Sequence, residues 1–138
     1  MAYQIPGFSH SLISSADYSG EDINEVNYQF RFVKVDNGEV VLTDEDDVSV
    51  GVMQNRPDAD QSATIYSTGV TKLTVTQGVT INAGDSVKCG DDGLAAVPDP
   101  AVGDWEEAEG IALTSTGNGA EHGELISVLL KPHAVLGV

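Results

Sequence analysis

The sequence predicts an all-β protein, a small antiparallel β-barrel of β-tulip-like or sandwich-like form with an extended N-terminal arm. Three observations carry this. Apolar and polar residues alternate with period two along several segments, as in a strand with one buried face. Turn-forming residues recur closely from residue 82 onward, at NAGD (82–85), GDDG (90–93) and PDP (98–100) and then at STGNG (115–119). No apolar stripe of helical period runs beyond about three turns.

Residues 1–27 form the expected arm. Pro6, Gly7 and Gly20 interrupt any periodicity. Ser19 with Asp22 three residues on is placed to cap a short helical turn carrying Ile23 and Val26. The core is expected over 28–138. YQFRFVKV (28–35) puts Tyr28, Phe30 and Phe32 on one face and Val33 and Val35 on the other, so either both faces are partly buried or a bulge intervenes. Asn37-Gly38 follows, a hairpin signal because a two-residue type I′ turn needs positive φ at both positions; it should pair this strand with EVVLT. TKLTVTQGVTI (71–81) sets Leu73, Val75, Val79 and Ile81 against Thr74, Thr76, Gly78 and Thr80. That is the pattern of one half-buried strand.

The chain also echoes itself. VKVDNG (33–38) matches VKCGDDG (87–93) with one insertion. Each is followed by a small apolar strand, an acidic stretch (DEDD, 44–47, and DWEEAE, 104–109) and a Gly-led strand, GVMQ at 51 and GIAL at 110. If real, the echo sets the two acidic runs at equivalent places in two similar β-units.

The charge balance narrows the partners. Twenty-two acidic against six basic residues give a formal charge of −16, so nucleic acid and anionic membranes are repelled. Cys89 is the only cysteine, which excludes an intrachain disulfide and points to a reducing compartment. The N-terminus lacks the basic-then-apolar pattern of a secretory leader, and we expect a soluble, unexported chain.

Chemistry-bearing motifs are sparse. DEDD lacks the spacing of a calcium loop, and on a strand only Asp44 with Asp46, or Glu45 with Asp47, would share a face; a solvated connection is the simpler reading. Asp91 and Asp92 suit a turn. His10, His122 and His133 show no metal-ligand spacing. No GxSxG occurs, Ser9-His10-Ser11 lies in the arm, and Lys88 would point away from Cys89 on a strand, leaving a small half-buried strand cysteine. GDDG is followed by LAAV rather than by a phosphate-binding helix, and Lys72 and Lys88 lie inside strands rather than at a biotinyl or lipoyl hairpin tip. We expect no catalytic residue, cofactor or metal. Trp105, among four acids, either anchors an interface or closes one end of a barrel.

Two stretches, LTVTQGVTINAGDSVKCGDDGLAAV (73–97) and GIALTSTGNGAEHGELISVLL (110–130), with VGVMQNRP (50–57) before them, carry a resemblance to the capsid decoration or cement proteins of tailed bacteriophages and prophages. The shared pattern is a strand, a glycine-aspartate turn and a DG hairpin, then Gly110-Ile111-Ala112-Leu113 and a closing strand from Gly123 to Val128. The resemblance implies a homotrimeric structural protein with no catalytic site. It would be made in the host cytoplasm, bind the outer surface of an icosahedral head and staple neighbouring major capsid subunits. It further implies that the arm contacts the capsid, with Tyr3, Ile5, Pro6, Phe8, Leu12 and Ile13 as candidate contacts beside Trp105. The alternatives are a carbohydrate-binding or calcium-dependent β-module using Trp105 with Tyr66, a tail or baseplate component, and a small hydrolase.

Overall fold

The computed structural model describes residues 5–6, 9–20 and 27–138. The fold is all-β, and of the expected forms the sandwich-like one is found: two open antiparallel sheets, not closed into a barrel. In chain order the strands are β1 (Ile5–Pro6), β2 (Ser9–Ile13), β3 (Phe32–Asp36), β4 (Glu39–Leu42), β5 (Gly51–Met53), β6 (Ser62–Tyr66), β7 (Gly69–Thr74), β8 (Ser86–Cys89), β9 (Ala95–Ala96), β10 (Trp105–Ala112) and β11 (Leu125–Leu136). One sheet has the order β1-β7-β11-β10-β8-β9 and the other β2-β6-β5-β3-β4.

The echo proves to be architectural. In the five-stranded sheet Val33 faces Gly51 and Val35 faces Val40; in the six-stranded sheet Val87 faces Gly110 and Cys89 faces Ala95. The correspondence continues outward. Met53 faces Ile65 as Ala112 faces Val128, and Leu12 faces Ala63 as Leu73 faces Ile126. Ser14 bridges Val40 in parallel, as Val75 bridges Ala95. The chain is therefore one five-strand unit built twice, β2-β6-β5-β3-β4 and β7-β11-β10-β8-β9.

Each unit buries the same inner face. Val33, Val40, Met53, Ala63 and Ile65 form the smaller core, and Tyr18 closes it. Their counterparts Val87, Ala95, Ala112, Val128 and Ile126 lie in the larger core, where Val79 and Ile81 take the covering role. Phe32 and Val52, on the opposite face of the five-stranded sheet, join that larger core and tie the units together. Each unit starts with a strand, passes a covering segment over its core, and then forms its hairpin.

This construction places the segment expected as a separate arm. Ser9–Ile13 is an edge strand on β6, Ser14 and Tyr18 are buried, and Ile5–Pro6 borders β7. The capping turn expected at Ser19 to Val26 falls largely on residues 21–26, outside the described residues.

The Asn37-Gly38 turn forms as expected, with φ of 52° and 77°. The strand before it begins at Phe32 rather than Tyr28. Phe30 has a φ of 62°, its N–H donates to Met53 O, and its carbonyl accepts from Thr74 N, so it bridges both sheets. TKLTVTQGVTI also divides: β7 ends at Thr74, and a turn through Gly78 (φ 86°) starts the covering segment. Ile81 is buried as the alternation required, although it is not on that strand.

Candidate interaction surface

The equivalent lysines of the two VK pairs hold the two acidic runs. On β3, Lys34 Nζ donates to Asp47 Oδ2 at 2.6 Å and lies 3.9 Å from Asp44. Residues 44–47 make a tight turn: Asp47 N–H donates to Asp44 O at 3.2 Å, and Asp44 N–H to Asp47 Oδ2 at 2.7 Å. Asp44 and Asp47 therefore converge, a pairing that strand geometry does not provide. Lysine and backbone bonds hold the Asp47 carboxyl below its ordinary range and raise Lys34. On β8, Lys88 Nζ bonds Glu106 and lies 3.6 Å from Glu45. Burial alone would lower Lys88, but its bonds to Glu106 and the field of Glu45 outweigh it and leave it raised. Glu106, held down by Lys88, also accepts from Asp99 N–H at 2.8 Å.

The two runs thus meet. Glu45 N–H donates to Asp91 Oδ1 at 3.1 Å, so the first unit's acidic turn lies against the second unit's GDDG turn. Between them opens a groove of about 250 Å³ lined by residues that include Glu45, Asp46, Lys88, Trp105, Glu106 and Glu109. Its floor is inert. Cys89 is buried and donates to Asp47 O, and burial, assisted by Glu109, pushes its thiol up to about 11. Such a thiol stays protonated near neutrality and is a poor nucleophile. Glu109 is itself raised by burial, opposed by a backbone bond from Ser49.

The remaining expected residues are scattered. Trp105 stands at the start of β10 with 66% of its surface exposed, and it closes no barrel. Tyr66 packs against the larger core rather than in the Trp105 groove. His133 Nδ1 lies 2.7 Å from Lys131 O, to which it donates, and its Nε2 lies 2.8 Å from Ser86 Oγ. His122 is exposed in a turn, bordering a 440 Å³ groove beside Arg31. That guanidinium is buried and spent on the carbonyls of Asn27 and Asp92, with the Tyr28 ring 5.1 Å away. Among the described residues no three His, Cys, Asp or Glu side chains are grouped to hold a metal ion. Of the arm residues, Leu12 packs against the smaller core and Ile13 is 42% exposed; Ile5 and Pro6 lie on β1, and Tyr3 and Phe8 are outside the described residues.

Sequence reasoning did not identify the β10–β11 ribbon. Trp105 to Ala108 pair with Leu136 to His133 beyond the point where β8 and β7 stop, so these residues extend past the sheet. A register shift separates this extension, with Lys131 and Pro132 opposite Glu109 alone. Proline fits there because a bulge residue need not donate to the ladder.

A site made of paired surface charges, an exposed aromatic and sheet edges has the composition of an interface. The sequence matches the phage cement protein family over residues 24–130. The chain belongs to the phage cement protein family. Among solved structures, this cement protein is similar to the N base of head fiber gp8.5 of bacteriophage phi29. The TM-score is 0.60 with 17% identity, over 90% of this chain and 93% of that chain. At that identity the likeness shows the fold alone. No curated protein matches the sequence. The family makes this a phage structural protein, and its two-unit sandwich displays acidic turns, sheet edges and a ribbon.

Proposed function

We propose that this cement protein is a non-catalytic head decoration protein that binds the outer surface of an icosahedral capsid and reinforces contacts between major capsid subunits. The family match over 24–130 carries this reading, and the phage head location named for the gp8.5 neighbour supports it. A charge of −16 suits an outward position, away from packaged DNA. The N-terminal segment contributes to attachment through its sheet-edge position, where a strand offers unpaired backbone groups to a partner. Copies acting together as a trimer gain from effective concentration, so modest contacts sum to a firm clamp.

Co-sedimentation with expanded heads lacking the protein tests the reading. Saturable binding that raises the temperature at which heads release DNA is expected. Absence of binding would overturn the proposal. Deleting residues 1–8 leaves β2 in place and should weaken binding, and unchanged binding would remove the N-terminal segment from the interface.

A further inference from the structure

The ribbon beyond the bulge presents one uncovered face. Trp105 lies opposite Leu136 and Glu107 opposite Ala134, and residues two apart share a face, so these four side chains stand together. Trp105 is 66% and Leu136 42% exposed. Val102, which bridges Gly137, and Val138 add two more exposed apolar side chains at the same end. This is an apolar patch at the tip of a paired ribbon.

Its rim is negative. Glu107 lies on the patch itself, and Trp105 lines the groove that also holds Glu45 and Asp46. Lys88, the cation in that groove, is already engaged by Glu106 and Glu45. Two copies meeting through this face would bring like charges together in molecules of −16 each. A basic surface would instead be attracted, and its cations would suit the face of an indole ring.

We infer that the ribbon face built on Trp105, Leu136 and Glu107 is a docking surface for a basic, aliphatic-lined patch of another protein. Resting on the function proposed above, that protein is a component of the head shell. Trp105 enters the aliphatic pocket and the acidic rim sets orientation and rate of encounter.

Trp105 is the only tryptophan of this chain, so protein carrying 7-azatryptophan in its place, excited to the red of the heads' own tryptophans, reports on this patch alone. Full-length protein is titrated with heads lacking it, following emission and co-sedimentation at low and high salt. Binding should shift the emission to the blue and weaken as salt rises. Trp105→Ala and Glu107→Lys should each weaken binding by roughly tenfold or more. Glu121→Lys, the same charge change near the opposite end of β11, should not. Wild-type binding that survives both ribbon substitutions, or that leaves the emission unchanged, would overturn the docking surface while the head-binding function stood. Trp105→Ala that instead dissociates a homo-oligomer in sedimentation would make a second copy the occupant and overturn the basic partner. Failure of the wild type to bind heads would overturn both proposals.

Discussion

Gly51 and Gly110 occupy the same point of two equivalent strands, each facing the valine of a Val-Lys pair, Val33 in one sheet and Val87 in the other. Neither position has room for a side chain. A Cβ at Gly51 would meet the Tyr66 carbonyl and come within 2.7 Å of Ile65 Cγ2. At Gly110 it would lie 2.5 Å from Leu129 O and 2.7 Å from Val128 Cγ1. The obstacles are the same two residues of each closing strand, because Ile65 and Tyr66 correspond to Val128 and Leu129.

Alanine at either glycine should therefore destabilise the protein by about 1–3 kcal/mol, since backbone must move to admit the methyl group. Gly51→Ala should cost more, because Gly51 also has a φ of 148°. Urea denaturation of the two variants checks both the size and the order.

The equivalent lysines should differ in the opposite sense. Lys88 has a side chain only 13% exposed and anchors both acidic runs, whereas Lys34 is 27% exposed beside a single turn. Lys88→Ala leaves Glu106 and Glu45 facing each other without a cation. The loss should be on the order of 1 kcal/mol, well short of a fully buried pair because solvent screens the site. Lys34→Ala should shift the midpoint less. Equal shifts would show that the two sites carry the same load.

Acidification should act in two steps. Glu109, whose folded pKa is raised, contributes stability below its unfolded value that is lost as pH rises through the folded one. Lowering the pH from neutrality through that raised value should first raise the melting temperature. Asp47 and Glu106, whose folded values are depressed by Lys34 and Lys88, contribute stability above the ordinary carboxylate range that is lost as pH falls through the depressed values. The melting temperature should then fall. Glu109→Gln should remove the first rise and leave the fall, and a profile of melting temperature against pH for both proteins shows whether it does.

Cys89 should resist thiol reagents while the protein is folded. A pKa of about 11 against the ordinary 9.0 lowers the thiolate fraction at mildly alkaline pH on the order of a hundredfold, and burial slows access further. Alkylation should track global unfolding across a denaturant series. Rapid labelling of native protein would contradict the buried placement.

Much of this fold was legible because local chemistry fixes it. Asn37-Gly38 specified its own hairpin, and the VK repeat with its trailing acids marked two units before any register was known. The first strand of each unit was harder to see. Ser9–Ile13 and Gly69–Thr74 do the same work, yet of the paired positions only Leu12 and Leu73 are alike, because backbone pairing places the first strand of each unit more than a particular side chain does. The polar, Gly-interrupted opening therefore read as an arm. The ribbon was hidden for a related reason: Pro132 suggests the end of a strand, and only the bulge explains why pairing resumes at His133. The acidic runs were visible as a repeat, but their meeting at Lys88 depends on how the two units pack.

The doubled unit also sets an order of events in folding. The hairpins Phe32–Leu42 and Ser86–Ala96 close within about a dozen residues and should form in microseconds. The first strand of each unit must instead find a partner over 50 residues away, His10 with Ile65 and Thr71 with Val128, and that closure is slow. Until it happens, Ser62–Tyr66 and Leu125–Leu130 stand as open edges. The intermediate most exposed to mispairing is thus the one in which both hairpins are made and both opening strands are still unbound.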